Sequence, residues 1–145
     1  MADIFTARKR SEIMSLIRSH GTRPELRLRE IMCAAVGRRK LVFNDAKLPG
    51  CPDAVIPSLR VAVFADGCFY HSCPKHGHIP KSNAAYWRPK LTRNCRRDTL
   101  ASRRLRSLGF HVWRVWEHDL KDNCLGLTLE RLRRRVAKLT QEHTG

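Results

Sequence analysis

The chain has 145 residues, 29 of them lysine or arginine and 13 aspartate or glutamate, for a formal net charge of +16. That length predicts one domain spanning 1–145 with a buried core, and a hydrophobic content of 42% excludes a disordered polyelectrolyte. No apolar run reaches membrane-spanning length, the opening MADIFTARKRSEIM lacks the apolar segment of a secretory signal, and the basic excess favours a polyanion, nucleic acid ahead of an anionic membrane surface.

The first helix is expected over Arg8–His20, with Ile13, Leu16 and Ile17 on its apolar side. A second begins at Thr22, an N-cap residue followed by Pro24 in the first turn and by Glu25, which complements the helix dipole. Leu28, Ile31, Met32 and Ala35 then recur at helical spacing. Three strand-like runs follow at Leu41–Asp45, Ala54–Ile56 and Arg60–Ala65, and the Pro57-Ser58 turn makes the last two a hairpin. The stretch from Gly67 to Ser82, rich in Cys, His, Pro and Gly, is ordered only if something staples it. A helix is predicted over Leu91–Leu108, ended by Gly109. FHVWRVW, apolar on both faces, reads as a central strand. The last helix turns Leu125, Leu129, Leu132, Val136 and Leu139 inward. This order predicts an α/β sandwich around a mixed central sheet.

With few acidic residues, their positions carry information. Asp53 follows LPGCP and opens a strand, while Asp66 ends the next. A hairpin turning near Pro57 brings them to one end of the sheet, where they could hold Mg²⁺ against a phosphodiester. The plainer alternative is that Asp53 caps a turn and Asp66 starts a loop, both solvated. Asp98 shares a helical face with Leu91, Cys95, Ser102 and Leu105, so it needs a partner. An arginine would serve, as would a catalytic histidine or water on the metal. His71, just beyond the second strand of the hairpin, is a candidate proton acceptor or equally a zinc ligand.

The chain has six cysteines and no secretory signal, so a reducing compartment is expected, with some thiols in the core and some on metal. Cys68, Cys73 and His76 lie in one loop, with His78 close behind, and His118 follows the FHVWRVW strand. Cys68, Cys73, His76 and His118 would complete a tetrahedral structural Zn²⁺ site; reduced cysteines beside surface histidines are the alternative. Phe69, Tyr70 and Trp87 sit in polar surroundings and suit unstacking of bases, against the usual fate of an aromatic in the core. Arg88, Lys90, Arg93, Arg96 and Arg97 lie nearby as candidate phosphate contacts.

LPGCPDAVI, FADGCFYHSCPKHG, PKSNAAYW, NCRRD and LGFHVWRVWEHDL together resemble the successive blocks of Vsr-type very-short-patch-repair endonucleases, from about Arg10 to Leu120. The resemblance implies a restriction-endonuclease-like PD-(D/E)XK fold, an α/β/α sandwich with a zinc-stapled loop. It implies Mg²⁺-dependent nicking of one strand at a T:G mismatch, 5′ to the thymine, in repair of deaminated 5-methylcytosine. By motif, Asp53 corresponds to the metal-binding aspartate, Ala65 to a residue ligating through its carbonyl, and His71 and Asp98 to the catalytic histidine and its support. Glu25 corresponds to a glutamate of the metal-water network, and Cys68, Cys73, His76 and His118 to the zinc ligands. Phe69, Tyr70 and Trp87 correspond to the wedging aromatics, and Met14 to a residue entering from the other groove. The family pattern has threonine and histidine at Ala65 and Asp66, so Asp66 stands as a candidate additional Mg²⁺ ligand. The resemblance further implies residues 1–20 as a DNA-contacting arm and 21–140 as the catalytic core. It implies mismatched double-stranded DNA and mismatch-repair proteins as partners, a monomer, and a place beside the nucleoid in the bacterial cytosol. Two rivals remain: a Vsr-like nuclease of a restriction or defence system without mismatch preference, and a non-catalytic zinc-bearing DNA-binding module.

Overall fold

The computed structural model describes residues 22–144; the helix expected over Arg8–His20 and Met14, expected to enter DNA from the other groove, lie outside them. The first described helix, α1, spans Arg23–Val36. Thr22 takes the N-cap position with an extended backbone, but its side chain makes no capping hydrogen bond. Proline in the first turn, whose missing N–H costs nothing there, and Glu25 beside the positive end of the dipole start the helix. Its buried face is Leu28, Ile31 and Met32.

The sheet has four strands in the order β1-β2-β3-β4, with β1 at Val42–Phe43, β2 at Ala54–Ile56, β3 at Val61–Asp66 and β4 at His111–Trp116. β1 is shorter than the Leu41–Asp45 run because Asn44 turns left-handed, at φ 50°, and ends it. β2 and β3 form the expected antiparallel hairpin, pairing Ala54 with Val63 and Ile56 with Val61. A 3-10 turn at Pro57–Leu59 joins them. β4 runs parallel to β3 and lies at the sheet edge among the described residues, not in the centre. Its two apolar faces have a different cause: helices cover both sides of it. Trp113 and Val115 join the cluster beneath α1 and the last helix, while Val112 packs on the opposite face with Ala62, Phe64 and Leu105.

The helix expected from Leu91 starts at Ala84 and runs to Ser107 as α2, carrying Pro89 inside it. Proline there removes one backbone hydrogen bond and reads as a breaker in sequence. Trp87 and Leu91, both buried, hold the first turns in place against that loss. The last helix, α3, spans Asp122–Thr144, with Leu132 and Leu139 buried and Leu125, Leu129 and Val136 packed against the same core. Thus α1 and α3 cover one sheet face and α2 the other, the expected α/β/α sandwich. No helix among the described residues is long and apolar enough to cross a membrane.

Candidate active site and metal centre

Alternation along the strands decides which side chains meet. In β3, Val61 and Val63 join the core cluster under α1 and α3, with Ala65 packed against it, whereas Ala62 and Phe64 join the α2 cluster. By the same alternation Asp66, and Asp53 one residue before Ala54, lie on the α2 face. Gly50 and Cys51 both take positive φ, 77° and 50°. A Cβ on Gly50 would stand 2.8 Å from the Cβ of Ala101 in α2. Only glycine permits that approach, which delivers Pro52 and Asp53 to the end of the hairpin.

The Asp53 carboxylate accepts a hydrogen bond from the Ala65 backbone N–H at 2.7 Å. Continuing the β2–β3 register places Pro52 opposite Ala65. Proline has no N–H, so Pro52 can give the Ala65 carbonyl no ladder hydrogen bond. A carboxylate and a backbone carbonyl that the ladder leaves to other partners form an oxygen donor set suited to a hard divalent cation. Glu25 of α1 lines the same cavity, of about 400 Å³, together with Asp53, Ala65, Asp66, His71 and Asp98.

His71 is half-buried just past β3, and its Nδ1 stands 2.5 Å from Asp98 Oδ2 on α2. Burial acts to depress the imidazolium, but the hydrogen bond to Asp98 and the charges of Asp66 and Asp98 outweigh it and raise His71 above its ordinary value. Beside His71, an arginine also faces the Asp98 carboxylate: Arg114 Nη1 stands 3.9 Å from its Oδ1, and Nη2 donates to the Asp98 backbone carbonyl at 3.2 Å. Asp66 lines the cavity and meets a cation of the protein's own there. Its buried carboxylate, 3% exposed, accepts two hydrogen bonds from Arg114 Nη1, at 2.9 and 3.1 Å. Burial pushes the Asp66 carboxyl up, and the Arg114 and His71 charges pull it only partly back. Sequence reading missed Arg114; its signal was a lone arginine inside an otherwise apolar strand.

A second cluster lies in the loop after β3. Cys68, Cys73 and His118 bring their ligand atoms within 4.8 Å of one another. Cys68 Sγ is 3.3 Å and Cys73 Sγ 3.6 Å from His118 Nδ1. The His76 ring lies beside that of His118, centroids 4.7 Å apart, whereas His78 packs on Phe69 at 5.5 Å. Burial raises the Cys68 thiol. At Cys73 burial acts the same way, but the backbone N–H groups of His76 and Lys75 lower the thiol overall. Two sulfurs and one imidazole so close together, with the His76 ring beside them, suit a soft or borderline metal. Gly77 closes the turn, since a Cβ there would lie 2.6 Å from the Cys73 carbonyl.

The aromatics gather beside the cavity. Phe69 stands edge-on to Trp87 at 4.9 Å and to Tyr70 at 5.1 Å. Trp87 is only 8% exposed, and Tyr86, which sequence reading passed over, is 42% exposed beside it. Lys90 Nζ lies over both rings, 5.5 Å from Trp87 and 5.6 Å from Tyr86. Tyr86, Lys90, Arg93 and Arg97 follow one another at spacings of three and four, so they form one ridge along α2. Arg97 lines the cavity and donates to Asn94 Oδ1. Arg88 and Arg96 are exposed on other faces of the helix.

Known proteins resemble the chain along most of its length. The family model described as DNA mismatch endonuclease Vsr matches residues 2–76. The chain is 42% identical over 141 residues to the type II nicking enzyme V.NmeAIP of Neisseria meningitidis serogroup A, covering 96% of this chain and 97% of that one. The chain belongs to the Vsr family of DNA endonucleases. Other Vsr relatives are the type II nicking enzyme V.NaeI of Lentzea aerocolonigenes, 38% identical over 85% of this chain and 76% of that one, and the DNA mismatch endonuclease Vsr of Escherichia coli K12, 34% identical over 83% and 77%. Membership in an endonuclease family argues against the non-catalytic module.

Proposed function

We propose that the protein nicks one strand of duplex DNA at T:G mismatches, 5′ to the mismatched thymine, with Mg²⁺ in the cavity and Zn²⁺ in the Cys/His loop. The observation that carries this reading is the convergence of Asp53, the Ala65 backbone, Glu25 and the His71–Asp98 pair on one cavity beside the aromatic cluster. Asp53 and the Ala65 carbonyl would hold the magnesium, which supplies positive charge against the phosphate as the bond to the leaving oxygen breaks. His71 uses Nδ1 to donate to Asp98, which leaves Nε2 to take the proton from the attacking water. The charges that raise His71 also stabilise the imidazolium that this step creates. Glu25 orients the water. Cys68, Cys73, His76 and His118 would hold the zinc and so fix the loop that carries His71, Phe69 and Tyr70.

Mismatch preference would come from the aromatics, because a wobble pair costs less to unstack than a matched one. The E. coli relative named a DNA mismatch endonuclease supports that reading. The relatives named type II nicking enzymes favour a second, a nuclease of a restriction system without mismatch preference. We place the protein in the bacterial cytosol, acting as a monomer on the nucleoid with mismatch-repair proteins as partners. Nicking rates with Mg²⁺ on T:G and matched C:G duplexes of one sequence test the proposal. Faster nicking of T:G is expected; equal rates hand the function to the second reading, and no nicking of either rejects both.

A further inference from the structure

Each of the three guanidinium nitrogens of Arg114 donates to the protein. Nη1 reaches both oxygens of Asp66, Nη2 the Asp98 carbonyl at 3.2 Å and Ser102 Oγ at 3.1 Å, and Nε the same Oγ at 3.3 Å. The planar group also lies 4.3 Å over the Phe64 ring. One β4 side chain therefore ties the end of β3 to two successive turns of α2. Two carboxylates face the His71 Nδ1: Asp98 at 2.5 Å and Asp66 at 3.8 Å.

That arrangement poses a problem of choice. Nδ1 carries one proton, and either carboxylate could accept it. A buried Asp66 without a counter-charge would be costly to keep ionised and would seek the imidazole or a cation in the cavity. Arg114 Nη1, in contact with both Asp66 oxygens, neutralises that carboxylate and leaves the proton to Asp98, while the bonds of Nη2 and Nε to the Asp98 carbonyl and Ser102 hold the helical turn that presents the Asp98 carboxylate. We propose that Arg114 is a positioning residue for the His71–Asp98 pair, and that by pairing with Asp66 it keeps this carboxylate out of the magnesium donor set. The inference rests on the nuclease reading above. Arg114 also lines the cavity, but its guanidinium nitrogens are spent on Asp66, Asp98 and Ser102, whereas Arg97 is exposed on the cavity rim, where a phosphate could reach it.

Arg114→Met, Asp66→Asn and the double variant test it, with single-turnover nicking and proton NMR of the protein as purified, without DNA. In the parent, the His71 Nδ1 proton shared with Asp98 should give a resolved downfield signal, and Asp98→Asn should remove it. Arg114→Met should lose that signal and turn over roughly tenfold to a hundredfold more slowly, with KM for DNA unchanged. The double variant, in which position 66 carries no charge to compete for the proton, should regain the signal, but its rate should stay below the parent's because the bonds to the Asp98 carbonyl and Ser102 are still missing. Asp66→Asn should leave the Mg²⁺ concentration for half-maximal rate unchanged. An Arg114→Met protein with full rate and signal overturns the proposal, as does one whose KM alone rises. A raised Mg²⁺ requirement in Asp66→Asn overturns the second half of it. If Arg114→Met does not fold, the double variant decides: folded without the signal, it overturns the positioning role. A parent that nicks no DNA rejects the nuclease reading but leaves the NMR comparison standing, so the two failures are distinct.

Discussion

His71 can act as a base at only one ring nitrogen, because Nδ1 is committed to Asp98. An asparagine at position 98 can offer that nitrogen an N–H instead of an oxygen, which would reverse the tautomer and put the proton on Nε2. Asp98→Asn is therefore expected to slow nicking by roughly 10²–10⁴-fold while DNA binding holds, measured by single-turnover rates beside a binding titration. Asp53→Ala should abolish nicking in the same assay. It also should not weaken binding, since attraction between the basic surface and phosphates does not depend on a carboxylate. Mg²⁺-supported nicking by Asp53→Ala at the parent rate would remove Asp53 from the site.

At the scale of elements, one close backbone approach and one Cys/His cluster shape the site. Gly50 sits at φ 77° with its Cα facing Ala101, so Gly50→Ala combines strain with a clash against α2. A loss of about 1–3 kcal/mol in urea unfolding is expected, with nicking reduced further because Asp53 moves. A metal held by Cys68, Cys73 and His118 would tie the loop after β3 to the end of β4. Purified protein should carry one tightly bound zinc per chain, and Cys73→Ala should lose it and unfold at lower temperature, read by metal analysis and thermal melting. Protein without zinc and with freely reactive thiols would defeat this.

Over the whole molecule, the net charge of +16 favours DNA, and the α2 ridge is the surface proposed to meet its phosphates. Arg93→Gln and Arg97→Gln should each flatten the salt dependence of binding by about one unit of log–log slope, on matched and mismatched duplexes alike. Arg88→Gln and Arg96→Gln, off the ridge, should change it less. Trp87 supports Phe69 from beneath, so Trp87→Ala should lower the T:G to C:G rate ratio more than it lowers binding to plain duplex. A ratio unchanged in Trp87→Ala would assign the wedge to Phe69, Tyr70 and Tyr86 without that support.

Local patterns determined much of this. The helical spacing of Leu28, Ile31 and Met32, the β2–β3 hairpin around Pro57 and the chained motifs through Asp53, His71 and Asp98 are all written in short stretches of chain. Three things were decided only by tertiary structure. Pro89 lies within a helix because the contacts of Trp87 and Leu91 outweigh one lost hydrogen bond. Among the described residues β4 is an edge strand that looks central because helices cover both of its faces, and periodicity cannot tell a helix from a strand as a neighbour. Asp66 pairs with Arg114 across 48 residues, a contact set by the parallel register of β3 and β4. Nothing within either strand names its partner, so the sequence shows a carboxylate at the site while the fold decides which charge it meets.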